Sequence, residues 1–251
     1  MFPLRDENPT ARRPVATPLL IGANALCWVV LQGFGTDPWL AESFCRYALI
    51  PGDLLGHVEF GQTIRVSETR ACIFDGSADP HTLITSMFMH GGWLHLLGNM
   101  WFLWVFGDNV EDAMGPWRFL GFYVLCGLAA AFAQVATDPG SPVPMVGASG
   151  AIGGVMGAYA LLYPRARVHT FIFLGFYMTT LAVPAVFMLG YWFVLQVVSG
   201  LPALGQTGGV AFWAHVGGFL AGLALVLPLR RADYVAAHRA QQARRTSRHR
   251  W

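Results

Sequence analysis

The sequence predicts an all-α fold, a polytopic membrane protein whose six transmembrane helices pack as one bundle. Three observations carry that reading. Of 251 residues, 55% are hydrophobic and only 12% charged, whereas soluble domains run at about 25% charged. Six apolar runs approach the roughly 20 residues that a helix needs to cross a bilayer core. The basic residues, all of them arginine, cluster in alternate connections between those runs.

Residues 1–16 are polar and form a short cytoplasmic segment. The apolar stretch behind them has no clean small-residue cleavage site, so it reads as a retained first span rather than a signal peptide. The runs fall at 18–35, 92–107, 117–136, 146–163, 183–201 and 210–229, within one membrane domain over 17–229. A long loop at about 36–87 follows the first run. Residues 168–182, "VHTFIFLGFYMTTLA", are aromatic- and β-branched-rich, and are expected to form an interfacial connector.

Placing the N-terminus inside puts thirteen of the sixteen arginines on the cytoplasmic face. It leaves Arg46, Arg65 and Arg70 in the long loop among seven acids. The expected location is a bacterial inner membrane with both termini cytoplasmic. Cys45 and Cys72 share the outer loop, where a disulfide can persist; a bridge and two ordinary loop cysteines both stay open. Cys27 and Cys126 fall in spans and read as small buried hydrophobes. The cysteines have no metal-ligand spacing, so no metal is expected; no nucleic-acid partner is expected either.

Ionisable and strongly polar groups inside spans are costly and tend to be functional. The fourth run carries Ser149, the sixth His215, and the second His95 and Asn99 with His90 just ahead. Ser149 precedes Arg165 by sixteen residues and His215 precedes Arg230 by fifteen. At about 1.5 Å per residue both sit roughly 22–24 Å above the inner boundary. His95 and Asn99, four apart on one helix face, fall within a turn or two of the same plane. Ser149 also follows Pro142 and Pro144 at a helix start, where its backbone N–H has no i−4 partner and suits an anion. His90 is rotated off that face and reads as structural.

Small residues surround these groups. Gly150 and Gly154 line the fourth run, and Gly218 and Gly222 repeat at i, i+4 below His215. That spacing lets helix backbones approach closely in lipid. A hydroxyl within about 2.6–3.2 Å of an imidazole nitrogen is an activated nucleophile.

Together "HGGWLHLLGNM" (90–100), "GASGAIGG" (147–154) and "AHVGGFLAG" (214–222) resemble the rhomboid family of intramembrane serine proteases. The resemblance implies a six-helix bundle open to water from its outer side, with a Ser–His dyad and no cofactor. It implies Ser149 as nucleophile and His215 as general base, with His95, Asn99 and the Ser149 N–H binding the oxyanion. It further implies single-span membrane proteins as substrates, cut near the outer face through an acyl-enzyme. The family often has an aromatic one turn after the serine, stacked on the imidazole. Gly153 stands there in this chain, so His215 must be held by something else. The family's common Trp-Arg in the outer loop is His81-Thr82 here.

A soluble hydrolase elbow is excluded, because G-x-S-x-G fails at Ala151. A transporter would be expected to carry acids in its spans, and the runs contain none. A non-catalytic binder of membrane helices is disfavoured only by the intact Ser149 and His215. The basic tail, 230–251, is expected either to meet anionic lipid, with Trp251 favouring interfacial contact, or to remain solvated.

Overall fold

The computed structural model describes residues 1–67, 70–76, 78–175, 177–203 and 210–248. In chain order its elements are β1 (Phe2–Asp6), α1 (Ala16–Val30), α2 (Trp39–Tyr47), α3 (Pro51–Leu54), β2 (Thr63–Arg65), β3 (Ala71–Ile73) and α4 (Thr82–Thr85). There follow α5 (Trp93–Met114), α6 (Pro116–Thr137), α7 (Ser149–Leu162), β4 (Arg167–Leu174), β5 (Tyr177–Pro184), α8 (Ala185–Ala203), α9 (Phe212–Leu229) and α10 (Ala232–Arg248). Three of the described helices are long and apolar enough to cross a membrane: α6, α8 and α9. Helices α1 and α7 are apolar but shorter, and α5 carries carboxylates near its C-terminus.

Helix α7 is the centre of the bundle and is buried on nearly every face. Its glycines let α9 lie backbone against backbone. A Cβ on Gly218 would fall on the Gly150 carbonyl, and one on Gly222 on that of Gly154. Small residues of this kind drive helix association where lipid supplies no hydrophobic difference. Phe106, Phe119, Phe122, Tyr123 and Tyr159 fill the core around them.

The all-α expectation needs correction, because the mostly helical chain also carries two small antiparallel sheets. Residues expected to form a connector at 168–182 instead lie in the hairpin β4–β5. Strand β1 adds to it in the order β1-β4-β5. Val168, Thr170, Phe171 and Ile172 are good strand formers, and Gly175 takes the positive φ of +69° that the turn requires. The N-terminal segment is therefore not a loose leader. Trp101 Nε1–H donates to the Pro3 carbonyl at 2.6 Å, and Phe2 stacks on Trp101. Strands β2 and β3 form the second sheet, in the long connection between α1 and α5. A disulfide between Cys45 and Cys72 ties α2 to β3, with Cα atoms 5.2 Å apart. Where the family often has Trp-Arg, His81 Nε2 meets the Arg46 carbonyl at 3.2 Å.

The second helix also runs beyond the expected 107, to Met114. Its extension brings buried acids into use as anchors. Glu111 accepts the backbone N–H groups of Val15, Ala16 and Thr17 at 2.7–2.9 Å, and the Thr17 hydroxyl at 2.8 Å. These are orphan donors at the start of α1, and a carboxylate there also meets the positive end of the helix dipole. Glu111→Ala is expected to lower the protein's stability by about 2–4 kcal/mol, since it strands buried donors. Thermal unfolding in detergent measures it.

Asp112 performs the same service for the two ends of the chain. It accepts the Ala11 and Arg12 backbone N–H groups and lies 2.8 Å from His238 Nδ1 on α10. His238 is 1% exposed, and its Nε2 lies 2.8 Å from Asn8 Oδ1. The first part of the tail is thus a docked helix rather than solvated chain, because His238 supplies a partner to the buried Asp112 carboxylate. Trp251 lies outside the described residues.

Asp6 sits at the base of β1, accepting the Tyr159 hydroxyl. Burial raises its carboxyl from the usual value to about 6, against the opposing Tyr159 hydrogen bond. An acid raised in the folded state favours folding most when protonated. Its contribution therefore falls as pH rises from about 4 to about 6 and levels off above. Asp6→Asn should remove that fall. Its unfolding temperature should gain on the wild type's across this window, and parallel curves would contradict the assignment.

Candidate active site

Three helices, α5, α7 and α9, converge at one end of the bundle. The chain enters α7 through Gly147, whose φ of +127° is one that only glycine adopts freely. A Cβ there would also meet His95 Nε2 at 2.8 Å. The Gly147 N–H donates to the Ser86 carbonyl at 2.9 Å and fixes the approach. Ser149 is then the first residue of α7, and its N–H lies at a helix N-terminus.

His215, in the first turn of α9, places Nε2 2.8 Å from Ser149 Oγ. The close Gly150–Gly218 crossing makes that reach possible across 66 residues of sequence. At this distance an imidazole can take a hydroxyl proton. From α5, the Gly91 N–H donates to His95 Nδ1 at 3.2 Å, so His95 carries its proton on Nε2, the atom that faces Gly147. Asn99 is 8% exposed, and its Nδ2 has no hydrogen-bond partner among the described residues. A buried donor without a partner is costly unless a ligand or transition state supplies one. A small cavity beside Ser149 is lined by Ser86, Met87, Ala130, Met145 and Gly150.

His90 has a different place. Its ring is fully buried and edge-on to His95, with centroids 5.2 Å apart. Its backbone N–H and carbonyl both bond the Gln32 side chain, at 2.8 and 2.9 Å. It pins the end of α1 to the start of α5. Among the described residues no group of three His, Cys, Asp or Glu could hold a metal.

Two contacts of His215 were missed in the sequence. Gln196 Oε1 lies 2.8 Å from His215 Nδ1, and the Trp192 ring sits tilted beside the imidazole, with centroids 5.8 Å apart. Both come from α8. The available signal was Gln196 itself, the one carboxamide in an otherwise apolar helix.

A family model described as Rhomboid domain matches residues 77–232, more than half of the chain, including all three converging helices. The chain belongs to the rhomboid family. This rhomboid is 38% identical over 146 residues to Rhomboid protease GluP of Bacillus subtilis, a match that covers 58% of this chain and 26% of that protein. It is 40% identical over 76 residues to RHOMBOID-like protein 5 of Arabidopsis thaliana, covering 30% of this chain and 25% of the relative. To the mitochondrial Rhomboid protein 1 of Saccharomyces cerevisiae it is 28% identical over 149 residues, covering 57% and 40%. The chain thus spans a quarter to two fifths of the length of these relatives.

Proposed function

We propose that this rhomboid is an intramembrane serine endopeptidase, with Ser149 as nucleophile and His215 as general base. His215 takes the hydroxyl proton as Ser149 attacks a peptide carbonyl, then returns it to the leaving amine. His95 Nε2–H, Asn99 Nδ2 and the Ser149 N–H stabilise the oxyanion, and water hydrolyses the acyl-enzyme. The observation that carries the reading is the 2.8 Å Ser149–His215 contact; the buried, unpartnered Asn99 donor on α5 supports it.

In this reading α1, α5, α6, α7, α8 and α9 are six spans and both termini are cytoplasmic. The site then lies in the outer half of a bacterial inner membrane. The substrates are single-span membrane proteins, cut near the outer face at a small residue, the size that the Gly- and Ala-lined cavity admits. Reconstitution in liposomes with tagged single-span substrates tests it. The products' new termini, read by mass spectrometry, should fall near the outer face. Silence across a panel of substrates with helix-breaking residues would move the chain to the runner-up, a non-catalytic binder of membrane helices. Transport of a solute without cleavage would point to the third reading, a transporter.

A further inference from the structure

We infer that Gln196 is the residue that positions the base, fixing the His215 tautomer and ring orientation from α8. The inference rests on the protease reading. Gln196 Nε2–H points to the Trp192 carbonyl at 3.4 Å, which leaves Oε1 for the imidazole at 2.8 Å. An amide oxygen only accepts, so Nδ1 must carry the ring proton. The Nε2 lone pair then faces the Ser149 hydroxyl at 2.8 Å, as a general base requires. The other tautomer would set two acceptors against each other at Gln196 and aim an N–H at the serine. When His215 accepts the serine proton, the same carbonyl dipole faces the new positive charge.

Trp192, one turn before Gln196 on the same face of α8, completes the support. Its indole is inclined 38° to the imidazole. Gly153 borders both groups: a Cβ there would crowd the His215 carbonyl at 3.1 Å and come into ordinary contact with Trp192 Cη2 at 3.7 Å. The aromatic absent from α7 is therefore replaced by one arriving from α8. Both contacts on the base depend on a helix of which only 22% is buried, against 44% for α6 and 33% for α9.

The test uses the full chain in liposomes and follows labelling of Ser149 by a fluorophosphonate, which reports on the nucleophile without any substrate docking. Gln196→Met keeps the side chain's length but removes the acceptor, whereas Gln196→Glu keeps an oxygen in place. Gln196→Met should label about 10–100-fold more slowly than wild type. Its kcat should fall in parallel, with KM within about twofold and an unchanged unfolding temperature. Gln196→Glu should recover to within about threefold of the wild-type rate. Wild-type labelling by Gln196→Met overturns the inference and leaves the protease reading standing. So does an equal loss in both variants, or a loss matched by a fall in folded fraction. A wild type that is neither labelled nor active defeats the protease reading itself.

Discussion

Ser149→Ala is expected to reduce cleavage of a reconstituted single-span substrate by about 10⁴-fold or more, to background. His215→Ala should be equally inactive, and the double variant no worse than either single one. Nucleophile and base act as a unit: without the imidazole the hydroxyl is a poor nucleophile, and without the hydroxyl the imidazole has no proton to take. Neither change should unfold the chain. Losing the 2.8 Å contact removes one hydrogen bond worth about 1 kcal/mol, so unfolding temperatures should stay near the wild type's. Equal cleavage by wild type and Ser149→Ala would assign the activity to another nucleophile and sink the mechanism.

Gly218→Val and Gly222→Val should have the largest effect on stability, about 3 kcal/mol or more each. The added atoms would fall on the backbone of Gly150 and Gly154, which cannot rotate aside as a side chain can. Helix α9 would have to move off α7 and take His215 away from Ser149, so activity should vanish together with the folded fraction. Gly121→Ala and Gly190→Ala make good controls, because a Cβ at either meets nothing within 4 Å. Both should be neutral, or slightly stabilising through helix propensity. Unfolding curves in detergent compare the four variants. A Gly218→Val protein as stable as Gly121→Ala would mean that α7 and α9 do not pack at this spacing.

The family was recognisable from three short motifs because each joins a polar group to small neighbours at one depth in an apolar helix. Ser149, His215, His95 and Asn99 stood out for the same reason: a polar side chain is conspicuous where lipid or packed helices surround it. Gln196 had that property too. Its partner, however, is the second nitrogen of a histidine already assigned one role, and nothing along the chain says which face of α8 turns inward. The sheet was harder to see. An apolar run rich in aromatics reads alike as connector or hairpin until its partner is known, and β1 lies some 160 residues away, pairing Phe2 with Phe171. Glu111 and Asp112 lie beyond the expected end of the second run at 107. They proved to be buried because the start of α1 and His238 of α10 bring them the donors they need.

What the sequence determined by itself follows from one-dimensional rules. Apolar length sets which helices can cross a bilayer, arginine placement sets the expected orientation, and motif order sets the family. The tertiary structure alone decided which groups touch. It put α8 rather than α7 behind His215, folded β1 and α10 onto α5, and buried the Asn99 donor without a protein partner among the described residues. Each of these depends on helix rotation and on differences in approach of about an ångström or less, and these are settled by packing among all the helices at once.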